Sequence, residues 1–105
     1  MIRRANGGQS MSVAVGNAPD SWGVWTTKDD MQIPWDQFLD EVAEAGYEGI
    51  ETGPYGYLPT DATALRRELD QRGLKIPAVT IMVGHLDQPS DWSKIENCVI
   101  FYMNI

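Results

Sequence analysis

Cysteine, histidine and positive charge are all scarce in these 105 residues. A single cysteine, Cys98, allows no internal disulfide, and a free thiol suits a reducing compartment, so the chain reads as cytoplasmic. A single histidine, His85, makes no metal site without a second histidine or a cysteine partner. Eight Lys plus Arg stand against fifteen Asp plus Glu, a net charge of −7, and Arg3, Arg4, Arg66, Arg67 and Arg72 form no extended patch. That balance excludes nucleic acid and an anionic membrane as partners. Long apolar runs are missing too: the longest, Cys98 to Met103, falls far short of the ~20 residues that span a bilayer. Near the N-terminus, Ala5-Asn6-Gly7-Gly8-Gln9-Ser10 is polar where a secretory signal places its apolar stretch of ~7–15 residues. Residues 1–11 are expected to form a disordered leader, with Met11 opening the first patterned segment.

Three signatures of common enzyme classes are also absent. No G-x-G-x-x-G follows the first apolar segment, no G-x-x-x-x-G-K occurs, and no serine sits in a nucleophile elbow. Dinucleotide, nucleotide-phosphate and serine-hydrolase chemistry therefore have no support.

What is present is an alternation of periods. Ser12-Val13-Ala14-Val15-Gly16 is short and β-branched with a glycine stop, as in a buried strand. From Pro34 the period becomes helical: Trp35, Phe38, Leu39, Val42 and Ala45 share a stripe that Gly46 ends. Residues 47–52 follow as a second strand, and Thr60 or Asp61 caps a second helix carrying Ala62, Leu65 and Leu69, stopped by Gly73. Lys75 to Val83 forms a third strand, with Pro77 near its start or at a bulge. The order β-α-β-α-β predicts an α/β fold with three parallel strands in sequential order and the helices, near 35–45 and 61–72, on one face. Helix-to-strand links are minimal, whereas the strand-to-helix links 17–33, 53–60 and about 84–90 are long, which marks the functional face. The stretch from Asp91 to Ile105 begins as a helix capped by Ser90, but Val99 to Met103 reads equally as a strand.

The first long loop carries Asn17, Asp20, Ser21, Trp22 and Trp25 at the mouth of strand one. Indoles stack on the C–H faces of sugars while Asn, Asp and Ser bond the hydroxyls; alternatively, Trp22 and Trp25 plug the end of a barrel. Strand parity sends Ile50 to the helices and Glu51 to the opposite side, where its carboxylate meets a substrate hydroxyl, a cation or a neighbouring side chain. His85, after strand three, is a substrate contact or a plain loop residue.

The runs Ala18-Pro19-Asp20-Ser21-Trp22-Gly23-Val24-Trp25, Gly46-Tyr47-Glu48-Gly49-Ile50-Glu51 and Gly53-Pro54-Tyr55-Gly56-Tyr57-Leu58-Pro59 resemble the xylose-isomerase-like sugar isomerase/epimerase family, nearest its inosose dehydratase branch. The resemblance covers roughly Ser12 to Trp92, and residues 93–105 form a divergent tail, as from a truncated or frameshifted frame. It implies a partial (β/α)₈ TIM barrel comprising the first three βα units, since a whole barrel needs ~250 residues. It further implies a parent acting on a keto sugar or polyol by metal-assisted proton transfer. Its divalent Mn, Co or Mg ion and its main acid/base groups then lie outside this chain, which holds no metal of its own. Asn17, Trp22, Trp25, Glu51 and His85 are the expected substrate-lining residues; no catalytic residue is assigned. The competing expectation is a non-catalytic chain that self-associates through unpaired strand edges.

Overall fold

A computed structural model describes residues 13–27, 30–81 and 87–105. Expectations for residues 1–12, for the end of the third strand and for His85 lie outside these described residues.

Three parallel strands form one sheet in the order β1-β2-β3, with β1 at Gly16–Asn17, β2 at Gly49–Glu51 and β3 at Lys75–Ala78. The central position of β2 and the parallel pairing agree with the sequence reading. The strands are shorter than expected, because a ladder extends only as far as both partners run side by side. Gly16 pairs with Gly49 and Asn17 with Ile50, and one bond beyond, from Glu48 N to Val15 O at 2.9 Å, marks the limit of the described ladder. On the other side Gly49 pairs with Lys75 but Glu51 pairs with Ala78, so β3 spends one more residue than β2 over the same span. That bulge contains Pro77, which has no N–H to give the ladder. Past Ala78 the chain leaves the ladder, and Thr80 N donates instead to the Thr52 hydroxyl at 3.1 Å.

The helices follow the sequence closely. α1 spans Trp35–Glu44 and α2 spans Ala62–Arg72, where the Asp61 side chain caps α2 by accepting from Ala64 N at 3.2 Å. Phe38, Leu39 and Val42 of α1 and Leu65 and Leu69 of α2 are buried with Ile50, Val24, Tyr57, Leu58 and Leu74 in one core. Each such side chain contributes about 1.5–3 kcal/mol by leaving water. Ile50 thus meets the helices, as parity required. Arg72 ties the two helices together, its Nε 2.7 Å from Asp40 Oδ1.

The ambiguous tail is a helix, α3, over Pro89–Met103, with Gln88 rather than Ser90 at the cap position and Pro89 in the first turn. Non-local contacts decide it: Phe101, Tyr102 and Ile105 pack against the core, and Tyr55 meets the Phe101 ring edge-on at 5.5 Å. The Arg66 guanidinium bonds the Asn104 carbonyl, holding the end of α3 to α2. No helix among the described residues is long and apolar enough to cross a membrane.

Candidate functional site

The loops leaving β1 and β2 meet over the end of the sheet, and the local sequence explains how. Asn17 Oδ1 accepts from Ala18 N at 2.8 Å and from the Ser21 hydroxyl at 2.7 Å, winding Pro19–Trp22 into a single 3₁₀ turn. Gly23 ends that turn in a left-handed conformation, φ 80°. The reversal sends the two indoles apart. Trp22 lies on the helix side, its ring edge-on to Phe38 at 5.2 Å and its Nε1 donating to Glu41 Oε1 at 3.1 Å. Trp25 is 68 % exposed, and its segment is clasped by Gln32, whose Oε1 accepts from Trp25 N at 3.2 Å and whose Nε2 donates to Thr26 O at 2.7 Å.

Gly53 lets the second loop close on the first. It adopts φ 68°, and a Cβ there would stand 2.8 Å from Cγ of Pro19, a separation no side chain could keep. Farther along, Tyr57 inserts its ring into the core, 6.2 Å from Phe38, and donates its hydroxyl to the Ile33 carbonyl at 2.9 Å. Burial, reinforced by the Asp36 carboxylate, pushes the Tyr57 hydroxyl up to about 12, so it serves as a neutral strut and not as a proton carrier.

Between these loops lies a cleft of about 170 Å³ lined by Asp20, Val24, Trp25, Glu51, Gly53, Pro54 and Thr80. Glu51 Oε1 accepts from Gly53 N at 2.9 Å and from the Thr80 hydroxyl. Of the expected site residues, the structure therefore brings Trp25 and Glu51 to one cleft. Asn17 lines a neighbouring open concavity with Gly16, Ala18, Ile50, Glu51, Pro77 and Ala78. Trp22 is not among the cleft's lining residues, and His85 lies outside the described residues. Sequence reasoning missed Thr80, inside what was expected to be a nearly continuous apolar strand, and Thr52, at the expected end of the second strand; both declare themselves only through hydrogen bonds across the sheet end.

The cleft's chemistry is that of an acceptor surface. Two carboxylates, Asp20 and Glu51, face an indole, and no basic residue joins them among the described lining residues. Such a wall repels anions and suits a neutral ligand with many O–H donors and an apolar face. Its volume lies below the ~300–1,000 Å³ of closed small-molecule pockets, as for one wall of a larger site. Among the described residues, no group of three His, Cys, Asp or Glu side chains could hold a metal ion.

No family model matches the chain, and no solved structure matches it. Over 70 residues, 62 % of this chain and 21 % of the relative, it is 43 % identical to an inosose dehydratase of Mesomycoplasma hyopneumoniae (strain J). It is 38 % identical over 71 residues, 63 % of this chain, to an inosose dehydratase of Lacticaseibacillus casei, and 37 % identical over 71 residues to the rhizopine catabolism protein MocC of Rhizobium meliloti. The chain spans about a fifth of the length of these curated relatives, 21 %, 22 % and 20 % in turn, and over that part it is similar to inosose dehydratases and to the rhizopine catabolism protein.

Proposed function

We propose that this chain is the first portion of a TIM-barrel enzyme of the xylose-isomerase-like group that dehydrates a neutral keto polyol, and that its cleft forms one wall of the substrate pocket. The observation that carries this reading is the meeting of Glu51, the last residue of β2, and Trp25, from the loop after β1, in one cleft at the strand ends. In it, Trp25 stacks on the C–H face of the polyol and Glu51 accepts from a ring hydroxyl. Asp20 offers a second acceptor, and Asn17, whose Oδ1 is already engaged twice, offers its amide N–H groups. Trp22 contributes by fixing the loop against α1, and His85 is kept as a substrate contact on the resemblance of the sequence alone. The described residues do not fit a metal site, so no step here runs through one. The divalent cation, Mn, Co or Mg, and the groups that move protons belong in this proposal to parts of the relatives that this chain does not span, and the chain by itself is inactive. We place it in the cytoplasm, with a small polyol as its ligand and neither nucleic acid nor membrane as a partner.

Transplanting residues 13–81 into the Lacticaseibacillus casei inosose dehydratase tests the reading. The folded chimera is expected to dehydrate inosose. Glu51→Gln should lower its kcat/KM roughly 10- to 100-fold through loss of a charged hydrogen bond, and Trp25→Ala by about three- to tenfold. A folded chimera inert toward every keto polyol offered, or one indifferent to Glu51→Gln, refutes it.

A further inference from the structure

The exit of β3 holds a residue whose bonds run in two directions. Thr80 lies two residues past the end of the strand at Ala78. Its backbone N–H donates to the Thr52 hydroxyl at 3.1 Å, and its own hydroxyl donates to Glu51 Oε1. Thr52 is fully buried and sits beside the Tyr102 hydroxyl of α3, so it is a fixed anchor. Consecutive residues leave a strand on opposite sides, and Thr80 therefore reaches across the end of β2 from the buried Thr52 to the cleft-lining Glu51.

We propose that Thr80 is a positioning residue for Glu51: its hydroxyl and the Gly53 amide pin Oε1, so that Oε2 is presented to a hydroxyl of the bound polyol. This rests on Glu51 being a ligand contact of the cleft. A free glutamate side chain loses rotamer entropy when it is ordered; here that ordering precedes binding. The choice of donor also matters. A Lys or Arg partner would fix the carboxylate by neutralising it, whereas a hydroxyl and an amide fix it and leave its full charge to strengthen the bond from the ligand.

Amide hydrogen exchange on the 105-residue chain, held at low micromolar concentration, tests the proposal. Gly53 N–H is bonded to the same Oε1 and so reports whether the carboxylate is held. Thr80→Val is expected to speed Gly53 exchange roughly tenfold while leaving the core helix amides of Val42 and Leu65 unchanged. Thr80→Ser, which keeps the hydroxyl, should restore the slow rate, and Thr52→Val should loosen Gly53 as Thr80→Val does. The proposal is overturned if Thr80→Val leaves Gly53 unchanged, if Thr80→Ser behaves like Thr80→Val, or if Val42 and Leu65 speed up equally, which would make Thr80 a general structural prop. The role of Glu51 is judged separately by Glu51→Gln in the chimera, so failure of the ligand reading and failure of the positioning role give different results.

Discussion

Replacing Gly53 by alanine tests how the two site-forming loops are held together. Two effects separate at this position. The first is backbone strain: Gly53 has φ 68°, and a residue with a Cβ gives up about 1–2 kcal/mol in the left-handed region. The second is contact. The new Cβ would lie 2.8 Å from Pro19 Cγ, 3.3 Å from its Cβ and 3.4 Å from its Cδ. Pro19 is buried within the 3₁₀ turn, and its ring has no rotamer by which to move aside. Gly73 supplies the control, because it has nearly the same φ, 67°, with nothing within 4 Å of the place an added methyl would take. Overpacking typically costs about 1–3 kcal/mol, so Gly53→Ala should exceed Gly73→Ala by about that amount. With a urea slope of ~1 kcal/mol/M for a small domain, the midpoints should differ by about 1–3 M. Tryptophan fluorescence during urea unfolding reads this, with all variants at one concentration because association shifts apparent stability. If Gly53→Ala fails to fold at all, adding Pro19→Ala should recover structure by trimming the ring it strikes. Equal midpoints for the two glycine variants would mean that Pro19 is not seated on Gly53, and the assembly of the cleft from two loops would lose its physical basis.

Three further outcomes are expected. Tyr57 is held at about 12 by burial and the Asp36 carboxylate; with its folded value above the unfolded one of ~10, its contribution is complete below pH ~10 and is lost as pH rises from there toward 12. Tyr57→Phe should remove up to ~3 kcal/mol of alkaline destabilisation while giving up ~1 kcal/mol at neutral pH, with a residue left by Tyr102, which burial also raises; an unchanged alkaline loss in urea titrations counts against this. Calorimetry with Mn²⁺ or Co²⁺ should find no stoichiometric site tighter than roughly micromolar on this chain, and a tighter site would contradict the placement of the metal elsewhere. The chain should self-associate increasingly with salt, since Val13, Val15 and Val79 are exposed at the sheet edges and screening weakens the repulsion of a net −7 charge; a monodisperse monomer by light scattering, with a cooperative thermal transition, would refute its reading as a piece of a barrel.

The parts of this structure that were legible in the sequence are those governed by local rules. The α1 stripe of Phe38, Leu39 and Val42, the Asp61 cap and the stops at Gly46 and Gly73 each depend on neighbours within one or two turns. Strand lengths were not legible, because the extent of β1 and β3 is set by a partner strand distant in sequence. The tail shows the same limit: Val99 to Met103 satisfies either period, and its helical state is fixed by Tyr55, far away along the chain. Parity sufficed to place Glu51 away from the helices, since a strand alternates whatever its length.

The loop between β1 and α1 obeys no period, and so Trp22 and Trp25 looked equivalent although one braces the scaffold and the other lines the cleft. What distinguishes them is the left-handed Gly23 between the two. Thr80 was hidden for a complementary reason: it is a small polar residue inside an apolar run, and its meaning lies in a carboxylate 29 positions earlier. That carboxylate also explains why overall charge was only a partial guide. A net charge of −7 disfavours polyanionic partners but is equally compatible with cation binding. Glu51 is anchored by a hydroxyl and a backbone amide instead of a basic side chain, so its charge remains available within a cleft that also presents an indole. The acids of this cleft repel an anion, and under the proposed function a neutral ring with hydroxyls on its rim and C–H groups on its face uses both the carboxylates and the apolar wall of Trp25, Val24 and Pro54.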